Sequence, residues 1–257
     1  MKNYKGYLID LDGTMYLGKE PIAEAAGFID TLRAKKIPYL FVTNNSSKTQ
    51  EEVAEKLNYL GIYATSEQVV TTSLATARYI KEWKKDASCY VIGEEGVKTA
   101  LEAEGLTITD DDKCDFVVVG IDREVTYEKF AKACLAVRNG ATFISTNGDI
   151  AIPTERGLLP GNGSLTSVVT VSTGFTPTFI GKPEKIIMEQ ALEILGTTKE
   201  ETIMVGDNYQ TDIQAGILAG LDTLMVFTGV TPFEEMNSFA TKPTYYVHSL
   251  NEWIDNI

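Results

Sequence analysis

The sequence is short of the residues on which several kinds of catalytic or structural site depend. It has one histidine, His248, so any mechanism that needs a histidine base would rest on that residue alone. It has three cysteines, Cys89, Cys114 and Cys134, which is an odd number, and no two of them have a CxxC spacing. A disulfide framework or a zinc site is therefore not expected. Three reduced thiols are instead typical of a cytoplasmic protein.

Long apolar runs and positive charge are also scarce. No segment approaches the roughly 18 apolar residues that a membrane span needs, and residues 1–7 lack the features of a signal peptide. With 36 acidic against 23 basic residues, the formal net charge is −13. Such a charge repels nucleic acids and anionic lipid, so we expect neither as a partner. A phosphorylated substrate is still compatible with this net charge, because a bound cation and a lysine can make the electrostatic potential positive locally.

Short apolar strands alternate with amphipathic helices along the 257 residues. This alternation predicts a mostly parallel sheet covered by helices, and the length allows one large domain or two modest ones. Predicted strands end at Ile9, Val42 and Val205, and a polar side chain follows each within two residues. Because ligands bind beyond the carboxyl ends of parallel strands, residues distant in sequence can converge there.

Three predictions concern the connections between these elements. Ser47 with Gln50 is a plausible capping box for the helix that follows. Pro183 suits the first turn of a helix that ends at Gly196. Residues 147–163 are rich in glycine and are predicted to form one irregular loop, and loops of that length are often functional.

The first candidate motif is Asp-Leu-Asp-Gly-Thr at residues 10–14, directly after the first predicted strand. Asp10 could attack phosphorus as a nucleophile. Asp12 could protonate the leaving oxygen and then deprotonate the hydrolytic water. Gly13 would let the backbone approach a ligand closely. The alternative is an ordinary solvated turn, because Asp and Gly both favour turns.

The second motif, Phe-Val-Thr-Asn-Asn-Ser-Ser, occupies residues 41–47. A hydroxyl at a strand end, followed by small polar residues and a helix start, is suited to holding phosphate. Thr43 and the backbone N–H groups after it, beginning at Asn44, would donate to phosphoryl oxygens. The same polar run could merely cap the helix that follows.

The third candidate is Lys182, which stands between Gly181 and Pro183. A lysine between a glycine that ends a strand and a proline that starts a helix has little conformational latitude. It could neutralise phosphate and hold Asp10 in place. The alternative is a solvated surface lysine, which most lysines are.

The fourth motif follows the strand that ends at Val205 and contains Asp207 and Asp212. Asp207 would be a hard oxygen ligand of the kind that Mg²⁺ prefers. Asp212, on the following helix, could hold a water bound to the metal. These residues could also simply cap the helix. Two carboxylates, Asp10 and Asp207, beside a dianionic phosphate make sense only with a divalent cation and a lysine present.

In this order the four motifs resemble the signature of the haloacid dehalogenase superfamily, and the match spans nearly the whole chain. Within that superfamily, residues 16–60 resemble the NagD-like phosphatases. The stretches that are particularly close to that subgroup are 12–18, 41–47, 143–149 and 160–163.

This resemblance implies an α/β fold: a Rossmann-like core with a parallel sheet, interrupted by a large inserted α/β cap. The cap would lie between Thr43 and Lys182, where 138 residues leave ample room for a second domain. We place the catalytic core at residues 1–79 and 178–257, and the substrate-selecting cap at residues 80–177.

The resemblance also implies a Mg²⁺-dependent phosphatase that hydrolyses a small phosphomonoester, such as a sugar phosphate or a nucleotide. Asp10 would be the nucleophile that carries an aspartyl-phosphate, and Asp12 the general acid and base. The implied Mg²⁺ ligands are the Asp10 carboxylate, the Asp12 backbone carbonyl and Asp207, with Asp212 outside them. The residues implied to hold the phosphoryl group are Thr43, Asn44 and Lys182.

The cap is expected to shield the site and to select the substrate. Asn147 and Asp149, together with the turn at residues 161–164, are candidates for the part that faces the active site; an ordinary cap loop is the alternative. The expected partner is a small phosphorylated metabolite whose identity the sequence leaves open. A homodimer is also left open.

Three other functions share this pattern of residues. Carbon–halogen hydrolysis also uses an aspartate nucleophile, but a halide leaving group needs no proton, so Asp12 argues against it. A phosphomutase would require the aspartyl-phosphate to outlast solvent water. A non-catalytic protein that binds a phosphorylated ligand is disfavoured because both Asp10 and Asp12 are present.

Overall fold

The structure, a computed structural model, describes residues 2–257. The strands in this part of the chain are β1 (Gly6–Ile9), β2 (Tyr16–Leu17), β3 (Glu20–Pro21), β4 (Tyr39–Thr43), β5 (Val69–Thr71), β6 (Ser88–Ile92), β7 (Thr107–Ile108), β8 (Phe116–Val119), β9 (Thr142–Ser145), β10 (Ala151–Thr154), β11 (Gly157–Pro160), β12 (Thr178–Phe179), β13 (Thr202–Gly206), β14 (Asp222–Val226) and β15 (Tyr245–Val247).

Helices follow most of the strands. The α-helices are α1 (Ala25–Ala34), α2 (Gln50–Tyr59), α3 (Thr72–Trp83), α4 (Glu95–Ala103), α5 (Tyr127–Arg138), α6 (Asn162–Thr173), α7 (Lys185–Leu195), α8 (Gln214–Ala219) and α9 (Asn251–Ile254). A π-helical turn, Tyr209–Ile213, leads into α8. Among the residues described, no helix is both long and apolar enough to cross a lipid bilayer.

Contacts within the chain define two compact units. The first contains residues 1–43, 51–70 and 182–257, and the second contains residues 44–50 and 71–181. These limits differ from the predicted 80–177 because α3 is one continuous helix of the second unit, and residues 79 and 80 lie inside it. The role of the second unit as a substrate-selecting cap stays a prediction.

The first unit is built on a six-stranded sheet with the order β15-β14-β13-β1-β4-β5, parallel at every pairing from β15 to β4. β1, β4 and β13 are buried at every position, which is typical of central strands covered by helices on both faces. α1 packs on this sheet through Phe28, Ile29 and Leu32, whose spacing places them on one face of the helix.

The second unit contains a parallel five-stranded sheet with the order β12-β9-β8-β6-β7. Its apolar core joins β6, β8 and β9 to the buried face of α5. Both units therefore have the parallel α/β architecture that the alternation of strands and helices predicted.

Two local predictions were wrong by a few residues. α2 begins at Gln50, whereas a capping box of Ser47 and Gln50 would begin the helix at Lys48; the Asn45 side chain accepts from the Ser47 N–H at 2.9 Å in a turn of the backbone. Asn commonly bonds its own backbone in this way, which the capping-box pattern does not exclude. α7 begins at Lys185 rather than at Pro183.

The predicted irregular loop at residues 147–163 is mostly ordered secondary structure. β10 and β11 pair as an antiparallel hairpin, and α6 begins at Asn162. The hairpin was missed because it contains Pro153 and Pro160, and proline within a run argues against a strand.

Candidate active site

The parallel register of the first sheet sets the position of Asp10. Ile9, the last residue of β1, pairs with Val205 on one side and with Phe41 on the other. The Asp10 N–H also donates to the Val205 carbonyl at 2.9 Å. The residues that follow these three strands are therefore brought to the same edge of the sheet, as parallel pairing requires.

A buried ammonium group stands at the centre of this edge. Lys182 is 2% exposed, and its Nζ donates to Asp10 Oδ1 at 2.5 Å and to the Val42 carbonyl at 2.9 Å. The same Nζ lies 2.7 Å from Asp212 Oδ1. Lys182 thus holds the carboxylates of Asp10 and Asp212. Of these two contacts, the sequence predicted only the one with Asp10.

Asp207 follows β13 and is completely buried. Its carboxylate accepts from Thr14 Oγ1 at 3.0 Å and from the Val230 N–H at 2.7 Å. A Cβ added at Gly229 would lie 2.0 Å from Asp207 Oδ2, and one at Gly13 would lie 2.3 Å from it. Only glycine can occupy these two positions without displacing the carboxylate.

Sequence reasoning assigned no role to the groups that hold Asp207. Thr14 belongs to the first motif, so its hydroxyl could have been considered there. Val230 acts through its backbone, and Gly229 acts by having no side chain. Neither carries a signal in a single sequence, because the contact depends on how the chain after β14 returns to β13.

Asp212 lies in the π-helical turn and is buried. Its Oδ2 accepts from the Asn208 N–H at 3.0 Å. A Cβ at Gly206 would lie 2.3 Å from that of Asp212, so this glycine permits the close approach of strand and turn. The Asp212 carboxylate also contacts Lys182 directly, and its place outside the metal ligands stays a prediction.

Asp10, Asp207 and Asp212 form a compact acidic group, with one oxygen from each within 4.8 Å of the others. Burial, followed by repulsion from Asp212, raises the pKa of Asp10 well above its ordinary value, although Lys182 opposes the shift. Burial and Asp212 likewise raise the pKa of Asp207 to about 6. Three carboxyl groups around one ammonium leave an excess of negative charge that suits a divalent cation.

The same carboxylates also shift the pKa of Lys182. Burial by itself would lower the pKa of Lys182, but Asp10 and Asp212 raise it above its ordinary value. The ammonium therefore stays charged, and it offsets part of the repulsion among the carboxylates.

Asp12 is placed apart from this acidic group, and its side chain is exposed at the surface. Desolvation by neighbouring atoms raises the pKa of its carboxyl group, and the nearby charge of Lys56 opposes that shift. The Asp12 carboxylate thus lies outside the group that could hold a metal, and its role as general acid and base stays a prediction. Its backbone carbonyl as a metal ligand stays a prediction.

Thr43 is the last residue of β4 and is buried, and Asn44 follows it in the chain. Within the second unit, the Asn44 amide donates to both Asp149 carboxylate oxygens, at 3.2 and 3.1 Å. The Asn147 amide donates to the Asn44 carbonyl at 2.8 Å. The structure therefore brings together Asn44, Asn147 and Asp149, while their contact with a substrate stays a prediction.

The residues that the sequence set aside lie elsewhere. His248 is exposed, and its ring lies 4.8 Å from that of Phe233. Cys89, Cys114 and Cys134 are free thiols, as predicted, so no disulfide contributes to this fold.

Asp10 and Asp207 just beyond strands of the parallel sheet, with Lys182 and Asp212 beside them, are typical of a class of hydrolases with an aspartate centre. Comparison with known families agrees: a haloacid dehalogenase-like hydrolase model matches residues 7–107, and a second HAD-hydrolase-like model matches residues 179–253. The chain belongs to the haloacid dehalogenase-like hydrolases and, within them, to the NagD-like subfamily.

Similar proteins cover the whole chain. It is 67% identical over 257 residues to the 5'-nucleotidase YutF of Bacillus subtilis (strain 168), which aligns over 100% of both chains. It is 59% identical over 254 residues to the acid sugar phosphatase of Staphylococcus aureus (strain USA300), covering 99% of this chain and 98% of that one. The p-nitrophenyl phosphatase from Archaeoglobus fulgidus superposes with a TM-score of 0.95 at 33% identity, covering 100% of both.

Proposed function

We propose that this protein is a Mg²⁺-dependent phosphatase that hydrolyses a small phosphomonoester through an aspartyl-phosphate on Asp10. The observation that carries the proposal is the buried Asp10 carboxylate, held by Lys182 within a group of three aspartates. The names of the similar proteins, a 5'-nucleotidase, an acid sugar phosphatase and a p-nitrophenyl phosphatase, support the same reaction class.

In the first step an Asp10 carboxylate oxygen bonds to phosphorus while the bond from phosphorus to the leaving oxygen breaks. Asp12 donates its proton to that oxygen. Desolvation raises the pKa of this carboxyl group, which favours its protonated form. Lys182, which contacts Asp10 at 2.5 Å, offsets the charge that gathers around the phosphoryl group.

In the second step water attacks the phosphorus of the aspartyl-phosphate. Asp12, now ionised, accepts a proton from that water, and phosphate leaves with Asp10 restored as a carboxylate. Thr43 and the backbone N–H of Asn44 are proposed to donate to the phosphoryl oxygens in both steps.

The acidic group fits a divalent cation. Its oxygens lie within 4.8 Å of one another, and carboxylates are the ligands that Mg²⁺ prefers. Asp10, Asp207 and the Asp12 backbone carbonyl would hold Mg²⁺, and Asp212 would remain with Lys182. When bound, the cation neutralises charge on the phosphoryl group and favours ionised Asp10.

The substrate is proposed to be a small phosphorylated metabolite, such as a sugar phosphate or a nucleotide. The second unit, with Asn147 and Asp149, is proposed to select it. Neither nucleic acid nor a membrane is expected as a partner of a chain with a net charge of −13. A cytoplasmic location belongs to the same proposal.

Phosphate release from p-nitrophenyl phosphate, with and without Mg²⁺, tests the proposal. We expect release that depends on Mg²⁺ and falls by on the order of 10³-fold or more in Asp10→Asn. Asp110→Asn is the matched control, since Asp110 has a side chain 93% exposed. Undiminished turnover by Asp10→Asn would exclude the aspartyl-phosphate. Mg²⁺-dependent binding of phosphate esters without any release would favour a binding protein.

A further inference from the structure

Two side chains beside Asp12 have no part in the reaction described above. Lys56, on α2, places its Nζ 3.6 Å from the centroid of the Tyr16 ring. Tyr16 begins β2 and is 7% exposed, so the ammonium covers one face of a ring that is otherwise enclosed. An ammonium at this distance is attracted by the negative face of the ring.

The backbone joins Tyr16 to the turn that carries Asp12. The Gly13 N–H donates to the Tyr16 carbonyl at 2.7 Å, and the Tyr16 N–H donates to the Leu11 carbonyl at 3.3 Å. Asp12 and Tyr16 also form an isolated bridge between backbone segments. Asp12 is thus held in a closed turn, and a displacement of Tyr16 would displace Asp12.

Electrostatic interactions connect Lys56, Tyr16 and Asp12. Burial and the carboxylates of Asp12 and Asp10 raise the pKa of Tyr16 above its ordinary value. Burial lowers the pKa of Lys56, and the charge of Asp12 opposes that shift. The ammonium, the ring and the Asp12 carboxylate therefore lie within electrostatic range of one another, all inside the first unit.

We propose that Lys56 and Tyr16 are a positioning pair for Asp12, holding the turn at residues 11–16 so that the Asp12 carboxyl group meets the leaving oxygen. The proposal rests on the phosphatase reaction described above. Lys56 acts through the Tyr16 ring, and Tyr16 acts through its backbone bonds to Gly13 and Leu11. Neither side chain is proposed to touch the reacting atoms.

A misplaced general acid has a recognisable kinetic effect. p-Nitrophenolate leaves readily without a proton, whereas the more basic phenolate needs one in the transition state. The two esters otherwise have similar shapes. A defect in the position of Asp12 must therefore lower kcat/KM more for phenyl phosphate than for p-nitrophenyl phosphate. kcat/KM covers the steps through departure of the phenolate, so slow hydrolysis of the aspartyl-phosphate does not hide the effect.

The experiment compares Lys56→Met and Tyr16→Leu with wild type on both esters in the presence of Mg²⁺. We expect each variant to lower kcat/KM for phenyl phosphate by about tenfold or more and that for p-nitrophenyl phosphate by less than about threefold. Lys56→Arg and Tyr16→Phe keep the cation and the ring, so both should stay near wild type on both esters. The double variant should be no worse than Tyr16→Leu alone.

A helical lysine of the second unit, Lys81, gives the matched control, since it is surface-exposed and pairs with Glu104. Lys81→Met should leave both values unchanged. Equal losses on both esters in Lys56→Met, or none on either, would overturn the proposal. A wild type without Asp10-dependent release would show instead that the phosphatase assignment fails, and the positioning role would fall with it. Thermal unfolding of each variant shows that the compared proteins are folded.

Discussion

One buried polar cluster in each unit differs in kind from the other. The cluster in the first unit carries charge, because Lys182 lies between Asp10 and Asp212, with Asp207 alongside. In the second unit a neutral network surrounds the buried amide of Asn162. Its Nδ2 lies within 3.2 Å of four acceptors, on Val119, Ser145, Thr146 and Asn147.

This difference separates chemistry from architecture. Buried charges are expensive unless they are paired, so a chain that keeps three carboxylates with one ammonium has a use for them. Their shifted pKa values are typical of a functional site. A neutral amide among carbonyls and hydroxyls costs less and specifies which strand and helix ends meet.

Removal of the buried ammonium should have the largest effect on stability and turnover among the changes that test this contrast. In Lys182→Met, Asp10 and Asp212 lose their shared partner, which should destabilise the metal-free protein by about 3–5 kcal/mol. Turnover should fall by on the order of 10²-fold or more, because the ammonium no longer offsets its share of the phosphoryl charge. Urea unfolding at pH 7.5 and phosphate release measure the two effects.

The control for this variant is Lys185→Met, which removes an exposed lysine that pairs with Glu189 at 3.1 Å. A surface pair of this kind contributes about 0–1 kcal/mol, so the control should resemble wild type in both measurements. Wild-type turnover by Lys182→Met would contradict the role given to the charged centre.

Loss of the neutral amide should affect stability more than chemistry. Asn162→Ala deprives the Val119 and Asn147 carbonyls of a shared donor, which should cost about 1–3 kcal/mol of unfolding free energy. Turnover at a temperature where the variant is folded should change by less than about tenfold. If Asn162→Ala lost as much turnover as Lys182→Met while its stability was unaltered, Asn162 would have a role in the reaction. The contrast between the two clusters would then be wrong.

The smallest predicted effect is a change in how stability depends on pH. The pKa of Asp207 is about 6 in the folded protein against an ordinary value of 3.8. A raised carboxyl pKa contributes stability that is fully present below about 3.8 and is lost as pH rises through about 6. The urea midpoint of metal-free wild type should therefore fall between pH 5 and pH 7.5, and fall less in Asp207→Asn.

Adding Mg²⁺ to the same urea unfolding experiment gives a second test of Asp207. At pH 7.5 the cation should raise the midpoint of wild type more than that of Asp207→Asn, because binding to the folded state stabilises it. Asp110→Asn, a change at an exposed carboxylate, should behave as wild type in both parts of the experiment. An Asp207→Asn protein with the full pH dependence and the full response to Mg²⁺ would exclude Asp207 as a ligand.

Much of the charged centre was accessible from the sequence. Asp10 and Asp207 follow runs of apolar residues, and parallel pairing of such strands places their ends side by side. Lys182 was recognised from its position between Gly181 and Pro183 and from the resemblance to a family. The neutral network was not accessible, because Asn162 lies in a segment whose prolines and glycines indicated a loop.

The amino-acid sequence by itself determined the alternation of strands and helices, the parallel class of the sheets and the identity of the acidic residues. These follow from local apolar periodicity and from residue chemistry, which a single chain displays directly. Only the tertiary structure decided that Asp212 shares Lys182 with Asp10, that Gly229 lies against Asp207 and that Lys56 covers Tyr16. Each of these contacts joins residues distant in sequence, and its existence depends on how strands and helices pack rather than on any local pattern.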